Sequence, residues 1–301
     1  MGFESGRASF RLMTFTGGLP GDALSRFRRD ALPPLDTLGR DEIHGWVTGR
    51  HMLDRDIDEH TANVAGYLRL SLVKAERKIP EALVRAECKM LELAEVQAND
   101  GKVPARSRRA EIRKEVVERL WPKMPPSLTG TDLVYDPRHE RLYAATTSDT
   151  QADALLIALR QTLGKAPIPL TPEALALKRK GRNVRDLSAT SFSAEIDDGL
   201  ASDSLGQDFL TWCWFHSEVR GGLFTLENGR FALGIDGPIR LVLEGDGAHV
   251  TVLRNGSPVV SAEAKTALLS GKKLARCVVL VAREDEAWQA AIDAETLTFR
   301  S

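Results

Sequence analysis

Apolar and polar positions alternate with a short period at the start of the chain and later take up a helical one. Ala8 to Phe15 alternates loosely and runs into Gly17, Gly18, Pro20 and Gly21, which predicts a strand closed by a turn. A short helix is expected from Asp22 to Asp30, and the patterns at Ile43 to Val47 and Val64 to Val73 predict sheet strands. From Pro80 the spacing becomes four and three: Ile79, Leu83, Ala86, Met90, Leu93 and Gln97 form one helical stripe, which Asn99, Asp100 and Gly101 end. A second helix from about Ser107 to Leu120 is expected to bury Ile112, Val116 and Leu120. Two helices joined by a short loop make a hairpin over 79–121.

Past Pro122, Pro125 and Pro126, Leu133 to Tyr135 and Leu142 to Ala145 flank a turn at Asp136 to Glu140 and predict a β-hairpin. Ser148 with Gln151 reads as a capping box. The helix it opens has Ala152, Leu155, Leu156, Leu159 and Leu163 on one side and Gly164 at its end. Pro167, Pro169 and Pro172 predict a linker, then a short helix from Pro172 to Lys180. Strand-like segments follow at Gly222 to Leu226, Phe231 to Ile235, Ile239 to Leu243 and His249 to Leu253, with turns at Glu227 to Gly229 and Asn255 to Gly256. A helix from Ser261 to Leu269 ends at Gly271, and Cys277 to Ala282 reads as a buried strand. The class is α+β, in an N-terminal region 1–170 that includes the helical hairpin and a C-terminal region 171–301.

At 43% apolar and 28% charged residues the chain has the composition of a folded globular protein, not of a disordered or fibrous one. No window nears the length of a membrane span and residues 1–15 lack a leader pattern, so a cytoplasmic location is expected. Cys88, Cys213 and Cys277 are too widely spaced for a zinc knuckle and odd in number, and are expected to be buried thiols. The net charge of −1 hides segregation: Lys102 to Lys123 holds eight basic residues against three acidic ones. Lys178, Arg179, Lys180, Arg182 and Arg185 form a second basic run, directly followed by acids from Asp186 to Asp208. Arg106, Arg109 and Arg113 are spaced to share one helical face.

Candidate chemistry narrows the picture by exclusion. Asp54, Asp56, Asp58, Glu59 and His60 imitate the start of a calcium loop, but Glu59 stands where that loop needs Gly and Ala65 where it needs Glu. An exposed acidic loop is the expectation, with no metal and no cofactor; His51 and His60 match no zinc spacing. Phe209 to Phe215 is the most aromatic stretch and reads as core or dimer interface ahead of a base-stacking platform. His216 and Glu218 lie beside it, yet the sequence has no nucleophile motif, no phosphate-binding Gly loop and no HExxH, so no catalytic residue is assigned.

Taken in order, several stretches resemble the RdgC family of recombination-associated proteins. They are Gly45, Trp46 and Val47; Arg77, Lys78, Ile79 and Pro80 entering the long helix; and Leu120, Trp121, Pro122 and Lys123 closing the hairpin. Asp136, the helix Ala154 to Gly164, and Ile168, Pro169 and Leu170 continue the order. Ala262 to Lys272 and Cys277 to Val281 complete it. The resemblance covers most of the chain; the stretches that carry it leave out Gly181 to Leu253. It implies mixed antiparallel sheets, a protruding helical hairpin and a homodimer closed into a ring that encircles duplex DNA with little sequence preference. In a nucleoid setting such a ring restrains RecA-driven strand exchange, touching RecA indirectly if at all. Lys102, Arg106, Arg108, Arg109, Arg113 and Lys114, with Lys178, Arg179, Lys180 and Arg182, are then the candidates to line the hole. Arg254 and Asn255 keep the basic and amide chemistry of the family's C-terminal hairpin tip. Met124, Pro125 and Pro126 occupy the stretch where the family carries an aromatic ring-closing residue. The alternative is a scaffold of the same fold that acts through protein contacts without DNA, for instance in phage or defence biology.

Overall fold

The computed structural model describes residues 3, 8–180, 190–193, 204–243 and 249–300. In chain order the first elements are β1 (Phe10–Thr14), α1 (Ala23–Arg29), β2 (Ile43–Thr48), α2 (Glu59–Ala62), β3 (Asn63–Val64) and β4 (Tyr67–Glu76). Then come α3 (Glu81–Ala98), α4 (Arg106–Leu120), β5 (Ser127–Asp136), β6 (Arg141–Ala144), α5 (Asp149–Leu163), β7 (Ile168–Pro169) and α6 (Pro172–Lys180). The remainder is α7 (Leu205–Val219), β8 (Leu223–Leu226), β9 (Gly229–Leu243), β10 (His249–Leu253), α8 (Ala262–Leu269), β11 (Lys273–Arg283), β12 (Glu286–Asp293) and β13 (Thr298–Arg300). The class is mixed α and β with antiparallel sheet, as expected. Two compact units interleave along the chain: residues 21–64 with 69–131, and residues 1–20 with 65–68 and 132–301.

In the smaller unit β2 pairs antiparallel with β4, Trp46 opposite Leu72 and Val47 opposite Ser71. Phe27 of α1 meets Trp46 edge to face with ring centres 4.8 Å apart. The backbone at 30–32 crosses β2 closely, Leu32 N donating to Trp46 O at 2.9 Å. Gly45 makes that approach possible, since a Cβ there would stand 2.3 Å from Leu32 Cα. Helices α3 and α4 pack through Val84, Ile112, Val116 and Leu120, with Leu83, Cys88 and Leu91 partly buried around them.

The face of α3 in that seam corrects the expected stripe. Val84, Cys88 and Leu91 face α4, while Ala86, Met90, Leu93 and Gln97 are exposed, Met90 and Leu93 at 55% and 51%. Two apolar stripes run along α3, and only one is covered within the described residues.

In the larger unit the strands lie in the order β10, β9, β11, β12, β13, β1, β6, β5. Leu210, Cys213 and Trp214 of α7 and Ala264 and Ala267 of α8 pack with Leu241 of β9 and Leu274 and Cys277 of β11 in one buried cluster. Gly206 is required where α7 meets the chain at Ala294, because a Cβ would fall 1.9 Å from the Ala294 carbonyl oxygen. Two further expectations change here. Phe231 to Ile235 and Ile239 to Leu243 are one strand, β9, which runs through Gly237 and Pro238, and its register with β11 shifts between Leu274 and Val278 to accommodate the irregularity. Ser148 is the N-cap of α5 without a side-chain cap; Gln151 Oε1 instead accepts from Thr146 Oγ1 at 2.6 Å. The rest of α5 is as read, with Ala152, Leu155, Leu159 and Leu163 buried and Gly164 left-handed at φ 74°.

Candidate nucleic-acid interface

Helix α4 starts against its own electrostatics. Its N-cap, Ala105, offers no side-chain acceptor, its first turn has no acid, and Arg106, Arg108 and Arg109 crowd the positive end of the helix dipole. A sequence with nothing to gain from these charges would place Asp or Glu there. Neighbouring glutamates answer part of the charge. Arg108 donates to Glu95 of α3 at 2.7 Å and to Glu111 and Glu115 of its own helix at 3.1 and 3.0 Å. Arg113 grips Glu81 with both forks at 3.0 and 2.9 Å, and Arg119 donates to Glu87 at 2.6 Å. Hydrogen bonds to Glu95, Glu111 and Glu115 hold the Arg108 guanidinium above its usual range, and the Arg113 fork holds Glu81 below the usual carboxylate range.

The expected face of Arg106, Arg109 and Arg113 is therefore unequal. Arg113 is committed to Glu81, and Arg109 gives its Nε to Pro104 O at 3.0 Å. Lys102, Arg106 and Lys114 are exposed and form no ion pair with the described residues. The acids that neutralise the others, Glu81, Glu87 and Glu95, are visible in the sequence as charges on α3, but which arginine each meets depends on how the two helices are set against one another.

The other expected positions lie on separate elements. Lys178 is exposed on α6; Arg179 and Lys180 belong to the same helix by backbone, and Arg182 and Arg185 lie outside the described residues. Arg254 and Asn255 are exposed in the turn after β10, where Gly256 takes φ 71°. The stretch Met124 to Pro126 is fastened by Arg77, whose Nη1 donates to Met124 O at 2.9 Å.

The acidic decoy has a structural explanation. Asp54 is buried, not part of an exposed loop, and accepts from Thr48 Oγ1 at 2.6 Å and Arg50 Nε at 2.7 Å. Burial acts to raise its pKa, and those hydrogen bonds outweigh it and hold it below the usual range. Asp58 caps α2, accepting from His60 N and Thr61 N at 2.8 Å each, while Thr61 Oγ1 accepts from Asp58 N in a reciprocal box. Among the described residues no three His, Cys, Asp or Glu side chains are grouped to hold a metal ion, and no helix is long and apolar enough to cross a membrane. Cys213 and Cys277 are buried thiols whose pKa burial pushes up to about 12, and Cys88 is half-buried. The aromatic run forms α7, with Leu210, Cys213 and Trp214 in the core and Phe209 and Trp212 exposed, which answers the core reading for one side of the helix.

The RdgC family model, described as "Putative exonuclease, RdgC", matches residues 29–179, a stretch that contains both helices of this pair. The recombination-associated protein RdgC of Neisseria meningitidis serogroup C and that of Neisseria gonorrhoeae are each 27% identical over 109 residues. The aligned stretch spans 36% of this chain and 36% of the length of each relative.

Proposed function

The chain belongs to the RdgC family, and from that premise we propose that it is a non-catalytic protein that binds the backbone of duplex DNA with little sequence preference. As a homodimeric ring around the duplex it modulates RecA-dependent recombination at the nucleoid. The observation that carries the DNA reading is the set of exposed cations Lys102, Arg106 and Lys114 on and before α4, without ion pairs among the described residues and beside arginines that oppose the helix dipole. Contacts to phosphates need charge and reach, not base-edge geometry, which suits flexible side chains on one helix. Self-association is supported by the second apolar stripe of α3, where Met90 and Leu93 are exposed, and by Val103 after it at 68%.

Titration of random-sequence duplex DNA with the intact chain at rising salt tests the reading. Binding at low salt that weakens steadily is expected, and substitution of Lys102, Arg106 and Lys114 together by Glu should weaken it. No binding at low salt overturns it. Incubation of end-labelled duplex with Mg²⁺ or Mn²⁺ should leave the DNA at full length; progressive shortening would favour the exonuclease named in the family description. Light scattering should give twice the 33.1 kDa chain mass, and a stable monomer would exclude the ring. The second reading, a scaffold working through protein contacts alone, is favoured by the neutralisation of Arg108, Arg113 and Arg119 by glutamates. It predicts no DNA affinity to lose in the triple Glu variant.

A further inference from the structure

One face of the larger unit's sheet gathers three arginines and two acids, Asp236 and Asp293. Arg276 of β11 stands opposite Arg240 of β9 on one side and opposite Asp293 of β12 on the other. Arg300 of β13 stands opposite Ala291, two residues before Asp293. Residues opposite one another in an antiparallel ladder share a face, so Arg240, Arg276 and Arg300 project to the same side. The reverse side holds Leu241, Cys277 and Ile292, packed under α7 and α8. The arginine side is open at its β10 end, where Arg240 is exposed and Val252, opposite it, and Val250 are each 45% exposed; Arg276 and Arg300 are half-buried, beside buried Val278 and Thr298.

None of the three arginines forms an ion pair with the described residues. Asp293 turns its Oδ1 to the N–H groups of Glu295 and Thr296 at 3.2 and 3.3 Å and to the Thr296 hydroxyl at 3.2 Å, and Asp236, opposite Val278 on the same face, accepts from Gly237 N at 2.7 Å. Burial, then the charge of Arg300, push the Arg276 guanidinium below its usual range; Asp293 pulls the other way by less than Arg300 pushes, and Arg240 adds to the push. The Arg300 Nε is buried and has no hydrogen-bond partner. Three arginines that form no ion pair among the described residues outnumber the two acids of this face, and an excess of like charge at a half-buried site is met by an anion from outside.

The row runs from β9 to β13, three strand spacings or about 15 Å. A small anion would meet one or two of these guanidiniums, whereas a linear polyanion meets all three, and the planar fork of arginine matches phosphate oxygens. Valines, not aromatic rings, flank the row, so it has no platform for unstacked bases. We propose that this sheet face, through Arg240, Arg276 and Arg300, is a track for the phosphate backbone of duplex DNA. The inference rests on the DNA-binding reading above and adds a site to it: all three residues lie outside the stretch 29–179 that the family model matches. Arg254, two residues beyond Val252, continues the same ribbon.

The test uses the full chain and random-sequence duplex DNA, read by fluorescence anisotropy over a range of salt. With Arg240→Gln, Arg276→Gln and Arg300→Gln combined, affinity at low salt should fall by about tenfold per arginine. The log–log salt slope should become shallower by about 0.9 for each phosphate no longer neutralised. The thermal midpoint should not fall, because the removed charges repel one another. A triple variant that binds with wild-type affinity and slope overturns the proposal, as does weaker binding with an unchanged slope. If the wild-type chain itself fails to bind, the DNA reading falls first, and the two failures are told apart. Should the triple variant not fold, the exposed Arg240→Gln alone decides: a slope shallower by about 0.9 supports the track and an unchanged slope contradicts it.

Discussion

On the α3 and α4 pair arginines are ion-paired to glutamates, and on one face of the larger unit's sheet three arginines form no ion pair among the described residues. The helix pair is the richer in basic residues, yet Glu81, Glu87 and Glu95 hold Arg113, Arg119 and Arg108, leaving Lys102, Arg106 and Lys114 free of ion pairs among the described residues. The sheet face has three arginines and two acids, Asp236 and Asp293, whose Oδ1 atoms accept from nearby backbone N–H groups rather than from the arginines. Charge available to a partner is thus set by pairing, not by density along the chain. In the helix pair the ionised state is favoured by its surroundings, whereas around Arg276 the surroundings disfavour it.

That contrast is open to deliberate damage. Ile112→Ala, at a site 1% exposed in the helix seam, should cost about 2–5 kcal/mol in thermal or urea unfolding, and an exposed charge change on the same helix should cost far less. Val252→Glu would give Arg240 a cross-strand partner and make the sheet face resemble the helix pair. Duplex affinity should fall by about tenfold, with stability held or improved. The reverse exchange, Glu95→Gln with Glu111→Gln and Glu115→Gln, frees Arg108 and should tighten duplex binding by about threefold at low salt, measured by anisotropy. The smallest effect expected is from Arg276→Met, which keeps the apolar stem and removes the crowded charge: a thermal midpoint raised by about 2 °C, where a fall would mean that the charge is satisfied in the folded protein.

How much of this is legible in the sequence depends on whether the interaction is local. The stripe Ile112, Val116 and Leu120, the helix closed by left-handed Gly164 and the hairpin around Asp136 follow from periodicity and turn chemistry within a few residues, and they form as read. Helix α3 is equally plain, but it carries two apolar stripes, and only the position of α4 selects Val84, Cys88 and Leu91 over Ala86, Met90 and Leu93. Thr146 displaces Ser148 as the partner of Gln151, a competition between two hydroxyls that spacing does not settle. Strand β12 escapes a sequence reading because Glu286, Trp288 and Gln289 show no clean alternation; its pairing with β11 supplies the order. The basic candidates on α4 stand out because they are neighbours in sequence. Arg240, Arg276 and Arg300 are isolated residues in three strands, and only the register makes them a group.

If duplex DNA is held through its phosphates, the salt dependence of binding by the intact chain is the most direct test. Binding to random-sequence duplex is expected at low salt, with a log–log slope steeper than about −2.7, the share expected from the three sheet arginines alone. Absence of binding at low salt, or affinity indifferent to salt, would contradict it.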